Sequence, residues 1–499
     1  MELREVLADV DAEIEGDAGV EIAGLAYDSR RAGPGVLFFC VPGSHADGHD
    51  FGAAAVAAGC PALVAERRLG VAPSEALVAD ARAAMAPAAR AFWGDPTGTL
   101  RVAGVTGTNG KTTTSFLLRH VLESGGVRTG LLGTVKSVIG GVEADVERTT
   151  PEAIDLQAMF RAMLDAGDRA CAMEVSSHAL RLGRTDLIRF GVAVFTNLTQ
   201  DHLDFHADME DYFAAKRALF VPERGERPAA AVVNVDDEYG RRLAAEIAGD
   251  YGEDLITFSA RGDEAAAVRA EGVEFDAAGS RFTMAGRFGE IGVAMPLPGD
   301  FNVENALAAC SAAVTLGASP VAVAAALARA ERVPGRLEPV SEGQRFAVLV
   351  DYAHTPDSLE NVLDAARRLT AGRLICVFGC GGDRDREKRP VMGAIAARLA
   401  DVPVLTSDNP RSEDPEAILA DVLAGIKGGR EHPGLVVEAD RRAAIRAAIE
   451  LAGPRDTVVI AGKGHEQGQE FEGGRKLPFD DRQVAREELR RAGAVPEPA

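Results

Sequence analysis

The chain has 499 residues, with 76 acidic side chains against 54 basic ones and a net charge of −22 at neutral pH. At roughly 150 residues per domain, this length suggests about three domains. The acidic balance disfavours nonspecific binding to nucleic acids or to anionic membranes, so an anionic ligand would need basic side chains concentrated at its site.

Cysteine usage and the N-terminal segment predict a cytoplasmic protein. The six cysteines are scattered and no pair has the C-x-x-C spacing of a zinc site, so we expect buried free thiols in a reducing compartment. The first residues lack the plan of a signal peptide. No run of about twenty apolar residues occurs, so no membrane insertion is expected.

The N-terminal part of the chain mixes short strands with Ala-rich helices. A strand is predicted at 36–41 and a helix at 52–59, and the turn-rich segment 92–99 is typical of a linker. We therefore expect a small α/β domain over residues 1–98.

Residues 99–337 and 338–499 each show strands that alternate with helices, which is the pattern of a parallel sheet. We expect an antiparallel insertion over 250–298, and a doubly wound arrangement in the C-terminal part. The predicted strands are 101–105, 170–175, 191–196 and 230–234 in the central part, and 346–350, 373–378, 402–406 and 457–461 in the C-terminal part. The fold prediction is an α/β protein of three domains.

The stretch GVTGTNGKTT at 104–113 joins a predicted strand to a helix predicted over 111–124. It departs from the usual phosphate-loop pattern, because Val105 stands where the first glycine is expected. Glycines in such a turn let backbone N–H groups point at a phosphate, which Lys111 can neutralise, and the Thr112 hydroxyl can ligate Mg²⁺. A nucleoside triphosphate site is predicted, and a glycine-rich turn with a surface lysine is the alternative. The residues assigned to ATP are Gly104, Thr106, Gly107, Thr108, Asn109, Gly110, Lys111, Thr112 and Thr113.

Two polar segments follow predicted strands of the central part, one at 174–178 and the other at 196–204. Ligands of open α/β sheets bind at the carboxyl ends of the strands. Glu174 and His202 are therefore predicted metal ligands beside the phosphate loop, although Mg²⁺ prefers oxygen to imidazole. Taken alone, each side chain could equally be an ordinary hydrogen-bonded loop residue.

Lys216 interrupts the apolar stripe of a helix predicted over 209–220. A lysine on an apolar face must snorkel to water, pair with an acid or lose its charge. A neutral amine in such a place is a nucleophile that can be modified, and a snorkelling or ion-paired lysine is the alternative.

Seven segments taken together resemble the Mur ligases of bacterial cell-wall synthesis. In this family the phosphate loop keeps the G-x-x-G-x-x-G-K-T spacing found here, and the resemblance spans nearly the whole chain. The last three segments narrow it to the branch that adds the third peptide residue. The segments are 104–113, 174–178, 196–204, 212–216, 351–358, 379–385 and 461–466.

The resemblance implies a UDP-substrate-binding domain over 1–98, an ATP-binding domain over 99–337 and a Rossmann-like, amino-acid-binding domain over 338–499. It implies that ATP phosphorylates the γ-carboxylate of D-glutamate in UDP-N-acetylmuramoyl-L-alanyl-D-glutamate. An amino acid then attacks the acyl phosphate through its amine, and the amide forms during peptidoglycan precursor synthesis. The implied partners are these small molecules, without nucleic acid, and a monomer is expected.

The family's functional residues match positions of this sequence one by one. Thr112 and Glu174 would hold one Mg²⁺ and His202 another, while Lys216 would carry a CO₂-derived carbamate and act as a carboxylate-like metal ligand. The catalytic matches are Lys111, Glu174, His202 and Lys216. Further matches to ATP contacts are Asn302, Asn305, Arg336 and Asp351. The matches to the UDP-substrate contacts are Ser29, Ser44, His45, Ala46, Thr149, Thr150, Ser176 and Arg184, and Leu182 stands where some relatives carry a polar contact.

The loop Asp408-Asn409-Pro410-Arg411 has the form that the family links to meso-diaminopimelate. Diaminopimelate has a second carboxylate that L-lysine lacks, and a guanidinium can clamp a carboxylate with two hydrogen bonds. The alternative is a solvated loop arginine. Asp414 is predicted to cap the next helix and Pro415 to open it. The other matches to diaminopimelate contacts are Arg384, Gly462 and Glu466.

Three other functions stay open: an L-lysine-adding ligase of the same family, a ligase like folylpolyglutamate synthase, and a non-catalytic nucleotide-binding scaffold. A folylpolyglutamate synthase lacks the uridine domain and the D-N-P-R loop. The presence of Lys111, Glu174, His202 and Lys216 argues against a scaffold. ADP release that depends on both the dipeptide nucleotide and an amino acid would distinguish a ligase from a scaffold.

Overall fold

The computed structural model describes residues 1–43 and 46–493, which form three successive α/β units, each built on its own sheet. The predicted α/β fold of parallel-rich sheets is confirmed. All six cysteines are buried free thiols, as predicted. None of the helices in the described part of the chain combines the length and the apolar composition that crossing a lipid bilayer requires.

The first unit has a five-stranded sheet in the order β1-β5-β4-β3-β2, parallel except for β1. Its strands are β1 Ala12–Glu15, β2 Gly24–Ala26, β3 Val36–Phe39, β4 Ala62–Ala65 and β5 Ser74–Val78. Its helices are α1 Leu3–Val6, α2 Gly52–Ala57 and α3 Ala81–Trp93, with short 3₁₀ turns at Ser29–Arg31, Gly48–Phe51 and Pro96–Gly98.

The central unit is an eleven-stranded sheet whose middle is parallel and whose two edges are antiparallel. Its strands are β6 Arg101–Thr106, β7 Thr129–Leu132, β8 Ser137–Ile139, β9 Val142–Ala144, β10 Ala170–Glu174, β11 Phe190–Phe195, β12 Ala231–Asn234, β13 Leu255–Ser259, β14 Val268–Asp276, β15 Gly279–Gly286 and β16 Ile291–Met295. Its helices are α4 Lys111–Ser124, α5 Ala153–Asp165, α6 Ser177–Arg181, α7 Met209–Arg217, α8 Glu238–Tyr251, α9 Asp300–Thr315 and α10 Pro320–Leu327, with a 3₁₀ turn at Gly252–Asp254. The spatial order is β16-β15-β14-β13-β12-β11-β6-β10-β7-β8-β9.

The third unit has a six-stranded sheet and a separate two-stranded hairpin. Its strands are β17 Glu338–Pro339, β18 Ala347–Asp351, β19 Leu374–Phe378, β20 Val402–Leu405, β21 Val436–Val437, β22 Thr457–Ala461, and β23 Gly468–Phe471 with β24 Arg475–Pro478 in the hairpin. Its helices are α11 Pro356–Leu369, α12 Lys388–Leu399, α13 Pro415–Leu423, α14 Arg441–Leu451 and α15 Asp481–Gly493, with 3₁₀ turns at Gly429–Glu431 and Glu472–Gly474. The sheet order is β17-β18-β22-β19-β20-β21.

The strands predicted with ranges of their own lie where the sequence places them, but the expected antiparallel insertion over 250–298 is only partly right. The strand β13 continues the parallel sheet beside β12, and β14 begins parallel to β13. Antiparallel pairing within this segment joins β14 to β15 and β15 to β16. The reason is that Ile256 and Phe258 turn inward and complete the core beneath α9, which a solvent-facing insertion could not do.

Alternating side chains of the parallel strands fill two cores, one on each face of the central sheet. On β10, Ala170 and Ala172 face α4, α9 and α10, whereas Cys171 and Met173 face α5, α7 and α8. Each buried aliphatic or aromatic side chain contributes roughly 1.5–3 kcal/mol, so both helix layers are held firmly to the sheet.

The register of the parallel strands brings their carboxyl ends to one edge of the central sheet. Glu174 at the end of β10 pairs with Val105, and Phe195 at the end of β11 pairs with Thr106. The segments that follow β6, β10 and β11 are therefore neighbours in space, although about ninety residues of chain separate the first from the last.

A buried ion pair ties together the helices α14 and α15 of the third unit. The Arg441 guanidinium donates to both carboxylate oxygens of Asp481, at 2.8 and 2.7 Å, and both side chains are fully buried. Arg441 also donates to the carbonyl of Ala461, at 2.9 Å, so the pair supports the turn that follows β22.

We expect Arg441→Met to destabilise the third unit by about 3–5 kcal/mol, since Asp481 would stay buried without a counter-charge. Urea unfolding followed by far-ultraviolet circular dichroism measures the loss. Arg442→Met is the matched control, because the neighbouring guanidinium is 41% exposed and should contribute less than about 1 kcal/mol. Arg441→Met combined with Asp481→Leu should recover much of the loss, whereas a single variant as stable as the control would contradict the prediction.

Candidate functional site

The turn between β6 and α4 has the backbone geometry of a phosphate loop. Gly107 has a φ of +149°, and a Cβ there would lie 1.8 Å from the Thr196 hydroxyl. Gly110 has a φ of +87°, and a Cβ there would lie 2.3 Å from the Asn305 amide oxygen. Only glycine fits either position, so the turn can lie close against its neighbours and direct its N–H groups at a ligand.

Lys111, the first residue of α4, folds back over the loop. Its Nζ donates to the carbonyls of Gly107 and Thr108, at 2.9 and 2.7 Å. Burial lowers the pKa of this amine below its ordinary value. Arg336 approaches from the end of the central unit and donates to the Thr112 hydroxyl, at 3.1 Å. Two basic side chains thus meet at the mouth of the loop, as an anionic phosphate requires.

At the end of β10, the Glu174 carboxylate accepts hydrogen bonds from two threonines. The Thr112 hydroxyl donates to its carboxylate at 3.0 Å, and Thr134 donates to it through its backbone N–H at 2.8 Å and its hydroxyl at 3.0 Å. Hydroxyl and carboxylate oxygens beside a phosphate loop are ligands that suit Mg²⁺. The pairing of Thr112 with Glu174 expected from the sequence is therefore present as a contact.

Within residues 1–43 and 46–493, no three His, Cys, Asp or Glu side chains come together as a ready-made metal cage. A cation in this site would therefore need some of its ligands from hydroxyls, from substrate phosphates or from a modified amine. Mg²⁺ suits such a site, since it is usually bound by one or two carboxylates plus phosphate oxygens and waters.

His202 lies in the turn after β11 with a φ of +57°, an uncommon conformation for a non-glycine residue. Its ring packs edge-on against His178, with centroids 5.0 Å apart, and its Nε2 lies 3.5 Å from an oxygen of Asp201. Burial lowers the pKa of His202 to about 3 despite the opposing effect of Asp201. The imidazole is therefore neutral at physiological pH and has a free lone pair for a metal.

Lys216 on α7 is the buried amine that the sequence predicts. It is 1% exposed, donates to the carbonyl of Gly107 at 2.7 Å, and lies 4.5 Å from the centroid of the Tyr212 ring. Burial, reinforced by the charge of Lys111, lowers the pKa of Lys216 well below its ordinary value. Its burial argues against a snorkelling lysine, and its hydrogen bond to a carbonyl in place of a carboxylate, with the lowered pKa, favours the neutral form over an ion pair.

Most of the predicted site residues line one cavity of about 470 Å³ between the central and third units. It brings together the loop, the candidate metal ligands, several predicted substrate contacts and Arg384. Those that line it are Thr108, Asn109, Gly110, Lys111, Thr112, Thr113, Thr149, Thr150, Glu174, Ser176, Arg184, His202, Lys216, Asn305, Arg336, Asp351 and Arg384.

A few residues predicted for the nucleotide lie behind the cavity wall. Gly104 and Thr106 are inside β6, and the absent side chain of Gly104 leaves room for the Phe190 ring, which a Cβ would approach to 2.6 Å. Asn302 is buried and donates to the carbonyl of Pro298, at 2.8 Å, while its own oxygen accepts from Asn305 at 3.4 Å. These residues support the cavity from behind.

Except for Arg384, which lines the first cavity, the predicted diaminopimelate residues form a second cluster, joined to that cavity through Tyr352. The Tyr352 hydroxyl lies 3.4 Å from Glu466, and Asn409 donates to Glu466 at 2.9 Å. A Cβ on Gly462, whose φ is +119°, would lie 2.4 Å from the Asp408 carboxylate. Pro410 and Arg411 line a separate, open cavity of about 770 Å³.

Lys463, to which the sequence reasoning assigned no role, holds this second cluster together. It is fully buried and donates to Asn409 and Glu466, at 2.8 Å in each case. Burial alone would raise the pKa of Glu466, but the charge of Lys463 and the hydrogen bonds from Lys463 and Asn409 outweigh this effect. The pKa of Glu466 is therefore lowered, and the carboxylate stays ionised. The sequence hints at this role of Lys463 only through its position inside the motif 461–466. Its partner Asn409 is 54 residues away, so no local pattern links the two residues.

Two contacts across the cavity join the third unit to the central unit. Neither contact was predicted from the sequence. Lys388 at the start of α12 donates to Asp201 at 3.1 Å, and both side chains are buried. Asn109 of the phosphate loop donates to Asp357 at 2.7 Å. The loop and the candidate metal ligands therefore lie directly against the third unit.

The residues predicted to bind uridine are in the first unit, away from the cavity. Ser29 opens a 3₁₀ turn that the Asp28 carboxylate caps, and the carbonyl of Ala46 accepts from the N–H of Gly43 at 2.9 Å. Ser44 and His45 lie outside the described residues. The 470 Å³ cavity and this part of the first unit are separate regions of the structure.

Three family models match the chain, one for each unit. They are described as Mur ligase family, catalytic domain (residues 21–92), Mur ligase middle domain (residues 105–313) and Mur ligase, glutamate ligase domain (residues 335–464).

Several curated relatives match over nearly their whole length. The UDP-N-acetylmuramoyl-L-alanyl-D-glutamate--2,6-diaminopimelate ligase of Streptomyces coelicolor is 49% identical over 95% of this chain and 94% of that protein. The proteins of the same name from Geobacillus kaustophilus and Syntrophomonas wolfei are 48% identical, over 95% of this chain and 96% of that protein, and 46% identical, over 98% and 99%.

Solved structures share the fold. A UDP-N-acetylmuramoyl-L-alanyl-D-glutamate--2,6-diaminopimelate ligase superposes with a TM-score of 0.69 at 33% identity, covering 99% of this chain and 100% of that one. A folylpolyglutamate synthase from Mycobacterium tuberculosis, complexed with ADP and AMPPCP, superposes with a TM-score of 0.62 at 20% identity over 76% of this chain and 92% of that one. This second likeness shows the fold alone.

We expect Lys111→Ala to weaken ATP binding at least about tenfold, because a charge-assisted hydrogen bond to phosphate contributes roughly 1.5–3 kcal/mol. Isothermal calorimetry with a non-hydrolysable ATP analogue and Mg²⁺ measures the change. Lys427→Ala removes an exposed lysine of the third unit and is the control. Unchanged affinity in Lys111→Ala would mean that this amine stays on its own loop carbonyls and does not reach the nucleotide.

Proposed function

The chain belongs to the Mur ligase family, and from this premise we propose that it adds meso-diaminopimelate to UDP-N-acetylmuramoyl-L-alanyl-D-glutamate at the expense of ATP. The bond formed is an amide to the γ-carboxylate of D-glutamate, made during peptidoglycan precursor synthesis. The observation that carries the proposal is one cavity that holds a phosphate loop, Glu174 and Arg184, with the D-N-P-R loop next to it.

We propose that the loop and its basic neighbours bind ATP and hold it for attack by the substrate carboxylate. Lys111 and Arg336 would leave their present acceptors and donate to phosphate oxygens. The γ-carboxylate oxygen attacks the terminal phosphorus, the bond to the bridging oxygen breaks, and ADP leaves. Thr112 with Glu174, and His202 with carbamylated Lys216, would hold Mg²⁺, which would supply positive charge to offset the crowded anions.

The resulting acyl phosphate is a mixed anhydride that an amine can attack. The amine nitrogen adds to the carbonyl carbon, a proton leaves the nitrogen, and inorganic phosphate departs as the amide forms. The second cluster supports delivery of that amine, since Glu466 is a carboxylate that suits an ammonium and lies one residue, Tyr352, from the cavity. Asp408 lies in the same cluster, 4.0 Å from the amine of Lys463.

For the muramoyl dipeptide we propose a path that ends beside Glu174. The Thr150 hydroxyl donates to the carbonyl of Glu174 at 2.9 Å, and Arg184 donates to the carbonyl of Thr150 at 3.1 Å. Among residues 1–43 and 46–493 the buried Nε–H of Arg184 finds no acceptor, so it can serve an anionic substrate group. The proposed contacts are Thr149, Thr150, Ser176 and Arg184 for the dipeptide, and Ser29, Ser44, His45 and Ala46 for the uridine nucleotide.

For ATP we propose contacts beyond the loop. Asn305 lines the cavity behind Gly110, and Asp351 and Arg336 line it on the side of the third unit. Asn302 acts through Asn305, to which it is hydrogen-bonded. This arrangement supports a nucleotide held between the central and third units.

The modification of Lys216 is also a proposal. A neutral amine attacks CO₂ through its lone pair, a nitrogen–carbon bond forms, and loss of one proton leaves a carbamate. The lowered pKa of Lys216 supplies the neutral amine, and nearby Lys111 offers a positive charge to the product. The product is a carboxylate-like group on a face where a cation is costly.

We further propose that the protein acts in the cytoplasm as a monomer. The six reduced thiols and the use of ATP support a reducing, ATP-containing compartment. One chain supplies every group of the proposed site, which supports action without a partner subunit.

The decisive experiment for the substrate offers meso-diaminopimelate and L-lysine side by side, with ADP release as the measurement. We expect ADP release to need both the dipeptide nucleotide and diaminopimelate. Arg411→Ala should lower kcat/KM for diaminopimelate at least about tenfold, because the distal carboxylate loses a charge-assisted partner worth roughly 1.5–3 kcal/mol. L-lysine has no such carboxylate, so its use should stay level or rise.

Arg430→Ala, which removes an exposed arginine of the same unit, is the control for that substitution and should match the wild type. Arg411→Lys should recover only part of the activity, since an ammonium cannot reproduce the planar fork. Equal losses for both amino acids in Arg411→Ala would mean that Arg411 shapes the loop without reading the carboxylate.

Lys216→Ala should nearly abolish ligation while the protein stays folded, because the proposed carbamate is lost. A short carboxylic acid such as acetate should restore some activity to this variant and should leave the activity of the wild type unchanged. Arg217→Ala, the next residue, pairs with Glu246 at the surface and is the control. Ligation at the wild-type rate by Lys216→Ala would contradict the carbamate assignment.

A further inference from the structure

The hairpin of β23 and β24 is docked on the D-N-P-R loop through three main hydrogen bonds. Gln469 donates its side-chain amide to the carbonyl of Asp408 at 2.6 Å, and the N–H of Glu470 donates to the side chain of Asn409 at 3.0 Å. The N–H of Arg411 donates in return to the carbonyl of Glu470, at 3.1 Å. The loop is thus held along its length by a segment about sixty residues further on.

The hairpin also fixes the Arg411 side chain. The Nε–H of Arg411 donates to the Glu470 carboxylate at 3.0 Å, and one Nη1–H donates to the carbonyl of Gly382 at 2.7 Å. A guanidinium has five N–H donors. Three therefore remain, one on Nη1 and two on Nη2, so both terminal nitrogens keep a donor that a carboxylate can accept from.

The backbone of Arg411 explains why its side chain needs an external partner. Its φ is +52°, in the left-handed region that non-glycine residues seldom adopt, so its side chain leaves the loop in an unusual direction. An arginine side chain has several rotatable bonds and loses much conformational freedom when it is fixed. Glu470 is the only carboxylate in the described chain within ion-pairing distance of this guanidinium.

We propose that Glu470 is a positioning residue that aims Arg411, so that its free edge meets the distal carboxylate of the incoming amino acid. The proposal rests on the function proposed above, since it takes diaminopimelate as the substrate. Glu470 would act through Arg411 and need not touch the substrate. Preference for a diaminopimelate over L-lysine then depends on the hairpin as well as on the D-N-P-R loop.

The exposure of Glu470 makes the proposal testable without loss of the fold. Its side chain is 41% exposed, whereas that of Arg411 is 19% exposed. Exposed ion pairs contribute little to stability, so a substitution at Glu470 should leave the protein folded. Glu450 at the end of α14 is exposed, lines neither cavity and offers a matched control of the same residue type.

The experiment measures KM and kcat of the full-length protein for meso-diaminopimelate and for L-lysine, in Glu470→Ala, Glu470→Gln and Glu450→Ala. We expect Glu470→Ala to raise KM for diaminopimelate about five- to tenfold with kcat within about twofold, and to leave L-lysine unchanged. Glu470→Gln keeps an oxygen that accepts from Nε–H, so it should recover most of the loss. Glu450→Ala should match the wild type, and Glu470→Ala should add nothing to Arg411→Ala.

Four outcomes would overturn the inference. A lower KM for diaminopimelate in Glu470→Ala would mean that Glu470 competes with the substrate for Arg411. Equal changes for both amino acids would mean that the hairpin merely shapes the site, and no change at all would mean that Arg411 aims itself. A wild-type protein that does not use diaminopimelate would sink the proposed function and this inference together, whereas the other outcomes sink the inference alone.

Discussion

The parallel register of β6, β10 and β11 is the constraint on which the site depends. It places the ends of three strands side by side, so the phosphate loop, Glu174 and the turn with His202 meet without any long excursion of the chain. The same register fixes the approach of α7, because Lys216 reaches the carbonyl of Gly107 inside the loop. A slip of one residue in any of these strands would reverse its side chains between the two faces of the sheet and dismantle the arrangement.

Buried cations are the second theme of the molecule, which is notable in a chain with a net charge of −22. Lys111 and Lys216 are held by loop carbonyls, whereas Arg441 and Lys463 are held by carboxylates. Lys111 and Lys216 therefore keep a positive charge or an amine lone pair that a ligand can use. The second pair is satisfied within the protein and supports the loops around it. Burial does not distinguish the roles of these four cations. Their partners do: a cation held by carbonyls can bind a ligand, whereas one held by a carboxylate supports the fold.

Much of this could be read from the sequence, and the exceptions have physical causes. Strands such as β6 and β19 are continuous apolar runs, so they were predictable, whereas β17 and β21 are two residues long and carry no period. The gathering of most predicted site residues in one cavity followed from short motifs on neighbouring strands. The ties of Lys463 to Asn409 and of Glu470 to Arg411 span 54 and 59 residues and leave no local signal. The substrate contacts themselves stay predictions.

The buried pair between Lys388 and Asp201 has a consequence for any motion of the third unit against the central unit. Asp201 lines the cavity beside the turn that carries His202, and Lys388 belongs to the third unit. A movement that parts these two units at this point must break the pair and return both charges to water. Separation therefore exchanges one strong short-range attraction for two hydration shells, and the balance shifts with ionic strength. How readily the two units part is in this way linked to the electrostatics of a single pair.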